Sequence, residues 1–345
     1  MRSFKSSRFR YRAFTLIEVL VATAIIGLLI GLLIPAVQAS REASRRAECV
    51  NHLKQIGIAL ASHHSAHGRF PAGITSTHET REGEKTARGP LSVHYYLLPY
   101  LEASSLYNGV NIVLDGTNRR VSSHSANATV RNTVLNGFLC PSDPNGLRPG
   151  NSYRATVGPY AFEFDTSLRV PGGGHGAFPG FDGTTANDFT DGLSQTVGFS
   201  ERLQGSDSGS SFHRSRDFWF SGIWELRHPS NSDEVVAACA ALSTSSPEWW
   251  PRSGEDWISA RYADTLYNHV GPPNGKGPDC SLNLPFGDPG DLSGGAISAR
   301  SHHNGGVNAL LMDGSVRFVK QDVSLPVWRA IASRAGGEAV AGDSF

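Results

Sequence analysis

The chain has 345 residues and a formal net charge of zero, from 31 basic and 31 acidic residues. Charged residues make up 18% of the sequence and hydrophobic residues 39%, a composition that excludes an intrinsically disordered chain. Because proteins dedicated to nucleic-acid binding normally carry a basic excess, the neutral total also argues against a nucleic-acid partner. The length allows one large domain or two smaller ones.

The N-terminus has the charge pattern of a membrane-inserted segment. Residues 1–13 hold five basic residues and no acidic one, and residues 14–34 form an apolar run whose one charge is Glu18. As a helix, such a run spans about 30 Å, the thickness of a bilayer core. The basic flank predicts a cytoplasmic N-terminus and a single pass, so everything after residue 34 is expected to lie outside the cytoplasm.

Two simpler explanations fit this segment less well. A cleavable secretory signal normally has an apolar region of about 7–15 residues, shorter than this run. An ordinary signal anchor leaves Glu18 unexplained, because an unpartnered carboxylate at that depth costs about 2.5–3.5 kcal/mol. Gly27 and Gly31 add a G-x-x-x-G spacing that allows close helix approach, although the same spacing occurs in ordinary membrane helices.

Residues 13–20, Ala-Phe-Thr-Leu-Ile-Glu-Val-Leu, resemble the class III signal of type IV prepilins and type II secretion pseudopilins. The resemblance implies an inner-membrane protein that prepilin peptidase cuts between Ala13 and Phe14 and then N-methylates on Phe14. The family prefers Gly where this chain has Ala13. The resemblance also implies that Glu18 faces the N-terminal amine of a neighbouring subunit and that Pro35 bends the helix.

The chain is predicted to have three parts. They are a leader at residues 1–13, a long helix at 14–68 with its transmembrane portion at 14–34, and an extracytoplasmic head at 69–345. Apolar residues three or four apart continue from residue 36 to residue 60, which indicates an amphipathic helix, and Gly68 and Pro71 end it. Cleavage would remove five of the 31 basic residues, leaving 26 against 31 acidic ones, so the mature chain is mildly acidic.

The predicted fold class is α+β. The resemblance implies a pilin-like architecture, in which the long helix packs on an antiparallel β-sheet head that carries large loop-rich insertions. Strand-like or turn-like runs cover residues 93–98, 137–139, 196–199, 218–224, 307–312 and 315–319, and helical patterns cover 119–136, 234–242 and 325–334. The clearest element is a C-terminal hairpin at 306–320, where Asp313-Gly314 between apolar runs predicts a type I′ turn.

The hairpin carries a second resemblance. His303, nine residues and then Asp313-Gly314 resemble the H-X9-DG motif of prepilin-like proteins in the domain of unknown function 1559 family, whose molecular activity is not established. Similar stretches lie at residues 51–57, 68–71, 97–101, 138–144, 191–192 and 267–274. Ten strand residues would separate His303 from Asp313 by about 33 Å, so we expect no shared metal site, with Asp313 in the turn and His303 at the strand start.

The four cysteines allow three disulfide pairings in an extracytoplasmic head. We favour Cys49–Cys140, which would tie the long helix to the head, and Cys239–Cys280, which would close a distal loop. Free buried thiols are the alternative. Since the sequence contains no C-x-x-C pair, zinc or thioredoxin-like chemistry is not favoured.

An oxygen-rich loop offers candidate calcium ligands at Asp182, Asp188 and Asp191. Carboxylate oxygens at flexible spacing suit calcium, but the run does not fit the EF-hand template, and solvated turns are the alternative. No other cofactor is predicted.

The motifs that mark enzymes are absent from the sequence: it has no G-x-S-x-G, no phosphate-binding G-x-x-x-x-G-K and no complete G-x-G-x-x-G. No catalytic residue is therefore predicted. The leading interpretation is a membrane-anchored structural subunit that prepilin peptidase processes and that assembles with other pilin-like subunits. The alternative is a monomeric anchored protein whose head binds an extracytoplasmic ligand, a polysaccharide for example. The candidate contacts are aromatic, with core packing as their alternative role: Trp219, Trp224, Trp249, Trp250 and Trp257. An anchored hydrolase is a third reading.

Overall fold

A computed structural model describes residues 15–81, 84–112, 125–145, 148–161, 175–180, 183–222, 232–242, 248–282, 294–338, 340 and 345. Within these ranges, side chains are described everywhere except at residues 76–90. The chain divides into two compact units, Met1–Arg45 and Arg46–Phe345, which are treated separately below.

One helix, α1, runs over Leu16–His67 and contributes to both units. In the first unit its aliphatic side chains are exposed, and by length and composition this portion could cross a membrane. In the second unit one face is buried, at Cys49, Leu53, Ile56, Ala59, Leu60 and His63. Gly68 ends the helix with a left-handed φ of 71° and donates its N–H to the His64 carbonyl, the geometry of a glycine C-cap.

The remaining elements are short, and the described part of the head holds eleven strands and five further helices. The strands are β1 Thr75–Arg81, β2 Glu84–Leu91, β3 Tyr153–Thr156, β4 Val197–Glu201, β5 Phe218–Phe220, β6 Trp249–Trp250, β7 Leu266–Tyr267, β8 Asp279–Ser281, β9 Gly295–Ala296, β10 Gly306–Leu311 and β11 Val316–Lys320. The helices are α2 Val93–Leu97, α3 Ser104–Gly109, α4 Ala128–Arg131, α5 Ser232–Ala241 and α6 Leu325–Ala330.

The central sheet has the strand order β11-β10-β4-β3-β7, and a second sheet has the order β6-β5-β8-β9. Most neighbouring strands are antiparallel, but β3 pairs with β7 and β5 pairs with β8 in parallel. The α+β class is therefore confirmed, whereas the expected antiparallel sheet is a mixed one. Parallel neighbours require long crossover connections, and the insertions of this head supply them.

Helix α1 packs directly on the C-terminal hairpin. A Cβ atom at Gly57 would lie 2.9 Å from Leu310 Cδ1 and 3.2 Å from the Gly314 Cα, so only glycine allows this approach without a shift. The Lys54 ammonium donates to the Gly314 carbonyl at 3.3 Å, and the Arg46 guanidinium lies 3.8 Å from the centre of the Phe318 ring. The second half of the helix is thus part of the head core.

The hairpin at 306–320 is confirmed, but its turn is not type I′. The Gly314 N–H donates to the Leu311 carbonyl at 2.9 Å, and Gly314 has a φ of 85°, whereas Asp313 is not among the residues with positive φ. A type I′ turn would need positive φ at both central residues. The loop between β10 and β11 is instead longer, and of its residues only Gly314 has a positive φ. Asp313 accepts the Ser315 N–H at 2.8 Å and thereby holds this turn.

The prediction for residues 93–98 was wrong, because this segment is helical. Ser92 precedes α2 and its Oγ accepts the Tyr95 N–H at 3.2 Å, an N-cap that starts a helix. Residues 137 and 138 lie in a 3-10 turn, Asn136–Phe138, and Leu139 follows it in extended conformation. The helical patterns near residues 234 and 325 are confirmed as α5 and α6.

A group of buried charges joins the two sheets. The Asp279 carboxylate on β8 accepts two hydrogen bonds from the Arg300 guanidinium, at 3.0 and 2.9 Å, and it also pairs with Arg202, which follows β4. All three side chains are buried. Since a buried carboxylate is stable only when its charge is compensated, the two guanidinium groups make Asp279 compatible with this position.

Candidate functional site

The predicted processing site lies outside the described residues, since these begin at Thr15, after Ala13 and Phe14. Glu18 lies in the first turn of α1. Its Oε2 accepts the Thr15 N–H and the Thr15 hydroxyl, both at 2.9 Å, while the Thr15 hydroxyl accepts the Glu18 N–H at 3.3 Å. These reciprocal bonds form a capping box, which gives Glu18 a local structural role in addition to the predicted assembly role.

The other predicted assembly residues lie along the exposed part of α1. A Cβ atom placed on Gly27 or Gly31 would meet no atom within 4 Å, so both positions are open within this chain. Pro35 lies inside the helix. Each of these three residues is therefore available to a neighbouring helix, which is what close helix packing in a membrane or a fibre requires.

Both favoured disulfides are confirmed. Cys49 on α1 is bonded to Cys140, which follows the 3-10 turn, over a sequence separation of 91 residues. Cys239 on α5 is bonded to Cys280 on β8, over a separation of 41 residues. The first bond ties α1 to the segment that follows the 3-10 turn, and the second closes the smaller hydrophobic core around α5.

His303 lies against the first of these disulfides. Its Nε2 atom is 3.7 Å from Cys140 Sγ and 3.2 Å from Glu201 Oε1, and the imidazole and the carboxylate are both buried. Glu201 Oε1 lies 4.0 Å from Cys140 Sγ. Three elements distant in sequence therefore meet at one buried polar cluster.

Glu201, at the end of β4, connects this cluster to the hairpin. Its Oε2 accepts the Asn308 N–H at 2.9 Å, and its Oε1 accepts the Asn308 side-chain amide at 2.8 Å. Asn308 lies on β10, the strand that separates His303 from Asp313. The two ends of the H-X9-DG motif thus have separate roles: His303 contacts the disulfide cluster, and Asp313 holds the turn.

Sequence reasoning did not identify Glu201 as a member of this cluster. Ligand atoms of Cys49, Cys140, Glu201 and His303 all lie within 4.8 Å of one another, and no other group of three or more such residues occurs in the described ranges. A single glutamate in an apolar strand, 102 positions before its histidine partner, gives no spacing pattern that could reveal the contact.

The calcium candidates do not form such a cluster where they are described. Asp182 lies outside the described residues. Asp188 accepts the Thr185 N–H at 2.7 Å in a capping box. Asp191 accepts the N–H groups of Gly336 and Gly337 at 2.8 and 3.0 Å. The two described carboxylates therefore organise the local backbone, and calcium binding stays a prediction.

The tryptophan candidates divide between core and surface. Trp219 and Trp257 are buried, and Trp219 stacks on Phe212 with the ring centres 4.3 Å apart. Trp224 lies outside the described residues. Trp249 and Trp250 form β6 and are half-buried. Trp219 is therefore a core residue, and an aromatic ligand platform at this point would rest on β6 alone.

A polar cavity of about 240 Å³ lies on the head. Its walls combine four arginines with three acidic residues: Arg131, Asn132, Arg148, Pro149, Asp207, Arg252, Glu255, Asp256 and Arg261. Burial raises the pKa of Glu255, against the effect of the neighbouring Arg252. The lining is thus suited to an anionic group of limited size.

Comparison with known families gives two matches. The family described as "Protein of unknown function (DUF1559)" matches residues 38–325, and the "Prokaryotic N-terminal methylation motif" matches residues 8–34. Neither description names a catalytic activity. No curated protein and no solved structure matches the chain.

Proposed function

Because the chain belongs to the DUF1559 family and carries the N-terminal methylation motif of prepilin-type proteins, we propose that it is a membrane-anchored structural subunit. Prepilin peptidase cuts it before Phe14, and its N-terminal helix assembles with other pilin-like subunits into a pilus-like or pseudopilus-like filament. The N-terminus then faces the cytoplasm during insertion, and the head lies on the extracytoplasmic side.

The observation that carries this proposal is the single acidic residue in the apolar run. Glu18 is the one charge in residues 14–34 and follows the proposed cut by four residues. A cationic amine created by cleavage on a neighbouring subunit would compensate this carboxylate, whereas an isolated subunit leaves it unpaired in lipid. Pairing thus favours the assembled state over the dispersed one.

The capping box makes a sharp test possible. Glu18→Gln keeps a side chain that can cap the helix but removes its charge, whereas Thr15→Val removes the cap and keeps the charge. We expect Glu18→Gln to insert normally and to be absent from sheared filaments. Thr15→Val should lose about 1 kcal/mol of helix stability and still assemble.

The readout is the ratio of filament to membrane fractions in a host that expresses prepilin peptidase. Two results would contradict the proposal. Glu18→Gln could be recovered in filaments at the wild-type level, or both variants could show the same defect. The second result would mean that Glu18 acts through helix capping alone.

The polar cavity supports a second candidate function, binding of a carboxylated polysaccharide by the head. Its volume suits one sugar unit, and the exposed Arg252 offers a guanidinium donor for a carboxylate. Arg148 and Arg261 are already paired with Asp207 and Asp264. Arg252→Glu should abolish binding of polygalacturonate to the full chain in detergent, while neutral dextran should bind neither form. Arg214→Glu, on an arginine outside the cavity lining, is the matched control. Equal binding by both variants would exclude this site.

A further inference from the structure

The cluster formed by Cys49, Cys140, Glu201 and His303 has a chemistry that the disulfide does not use. A disulfide needs no imidazole and no carboxylate beside it, yet both are buried against the sulfur atoms. Burying a carboxylate and an imidazole has a free-energy cost, which their mutual contact and the Asn308 hydrogen bonds help to offset. When the two cysteines are reduced, the same place holds two thiols, an imidazole and a carboxylate, which are the side-chain groups that bind zinc in proteins.

The distances in the cluster are close to those of a tetrahedral zinc site. With Zn–S near 2.3 Å and Zn–N and Zn–O near 2.1 Å, ligand atoms lie about 3.3–3.8 Å apart. The observed separations are 3.2 Å for His303 Nε2 to Glu201 Oε1, 3.7 Å for His303 Nε2 to Cys140 Sγ, and 4.0 Å for Glu201 Oε1 to Cys140 Sγ. The two sulfur atoms, now bonded to each other, have to separate to about 3.8 Å, and all four ligand atoms already lie within 4.8 Å of one another.

We propose that the chain with reduced Cys49 and Cys140 binds one zinc ion at this cluster. The two thiolates, His303 Nε2 and Glu201 Oε1 are the four ligands. Asn308 supports the glutamate, because its amide already donates to the same carboxylate. Zinc and the disulfide are thus alternative cross-links between α1 and the head, and a chain that has not yet been oxidised is held together by the metal.

Reduction of the disulfide and binding of zinc are two separate steps. A phosphine reductant and one water molecule cleave the disulfide, giving two thiols and one phosphine oxide. Zinc then displaces the two thiol protons, so binding releases two protons and leaves a site of net charge −1. Oxidation removes both sulfur ligands at once, and therefore the same event that forms the disulfide expels the metal.

The test uses the full chain in detergent with Cys239→Ser and Cys280→Ser, so that Cys49–Cys140 is the one remaining disulfide. Equilibrium dialysis against zinc is done before and after phosphine reduction. We expect one zinc per reduced chain and none per oxidised chain. With cobalt(II) as a probe, the reduced chain should show the strong visible bands of tetrahedral thiolate coordination.

Two adjacent histidines provide a matched pair of variants. His303→Ala removes a ligand and should weaken zinc binding by more than about 100-fold and alter the cobalt spectrum. His302→Ala, at the exposed neighbour, should change neither. The inference is overturned if the reduced chain takes up no zinc, if the oxidised chain binds equally, or if the two histidine variants behave alike. Circular dichroism of the oxidised variants verifies that both are folded.

Discussion

His269 offers a direct test of how burial controls the stability of the head. The side chain is fully buried and stacks on Trp328 with the ring centres 3.6 Å apart. Its Nδ1 lies 2.6 Å from the Trp328 carbonyl, and its Nε2 lies 2.9 Å from the Tyr267 hydroxyl. Burial lowers the pKa of His269 to about 3, although the hydrogen bond to Trp328 acts in the opposite direction.

The consequence for stability follows from the direction of this shift. The pKa is about 6.5 in the unfolded chain and about 3 in the folded one, so between these values the unfolded state binds a proton that the folded state does not. The contribution of neutral His269 is complete above pH 6.5 and is lost as the pH falls toward 3. From pH 7 to pH 4 the loss is about 3 kcal/mol, at about 1.4 kcal/mol per pH unit.

The perturbation that isolates this effect is His269→Gln, which cannot take up a proton. Urea unfolding of the full chain, followed by tryptophan fluorescence, gives the free energy of unfolding at each pH. The variant should be the less stable protein at pH 7, but its deficit should shrink by about 3 kcal/mol at pH 4, because only the wild type loses stability through this group. Groups shared by both proteins cancel in the difference.

The matched control is His213→Gln, because the His213 side chain is exposed. The free-energy difference between this variant and the wild type should not change with pH by more than a few tenths of a kcal/mol. A deficit of His269→Gln that stays constant from pH 7 to pH 4 would refute the reasoning, since it would mean that His269 titrates alike in both states.

Three further perturbations have calculable outcomes. Cys49→Ser opens a loop of 91 residues and should cost about 4.6 kcal/mol of unfolding free energy, against about 3.9 kcal/mol for the 41-residue loop opened by Cys239→Ser, both measured by chemical denaturation. Gly57→Val should destabilise the head by about 1–3 kcal/mol, because its side chain would collide with Leu310, and a lowered melting temperature would reveal this. Asp279→Asn should cost about 3–5 kcal/mol in the same assay, because it removes the carboxylate that pairs with two buried guanidinium groups, and a near-neutral result would contradict that role.

Local sequence patterns correctly predicted α1 and the C-terminal hairpin, which both depend on interactions between residues close in sequence. The apolar run and the following amphipathic stripe predict α1 to within a few residues, because helical periodicity and a terminal glycine are both sequence-local signals. The hairpin was predicted for the same reason. Its turn type was not, because both loop types use a glycine with positive φ, and only the backbone shows that Asp313 lacks one.

The features that the sequence did not predict are mostly those that depend on contacts between distant segments. Residues 93–98 are a local exception: their apolar and aromatic residues gave a strand-like or turn-like pattern, but Ser92 directly before them caps a short helix. The parallel pairing of β3 with β7 joins strands more than a hundred residues apart. The same holds for the site: His303 was singled out by its motif, whereas Glu201 and the disulfide reach it only through tertiary packing.

The central claim is that the chain is a processed prepilin-type subunit, and its mature N-terminus tests this most directly. The protein would be extracted from membranes of a host that contains prepilin peptidase, and its N-terminal residue and intact mass determined. The account predicts a chain that lacks residues 1–13 and begins with N-methylated Phe14. A chain that still begins with Met1 in the presence of active peptidase would contradict it.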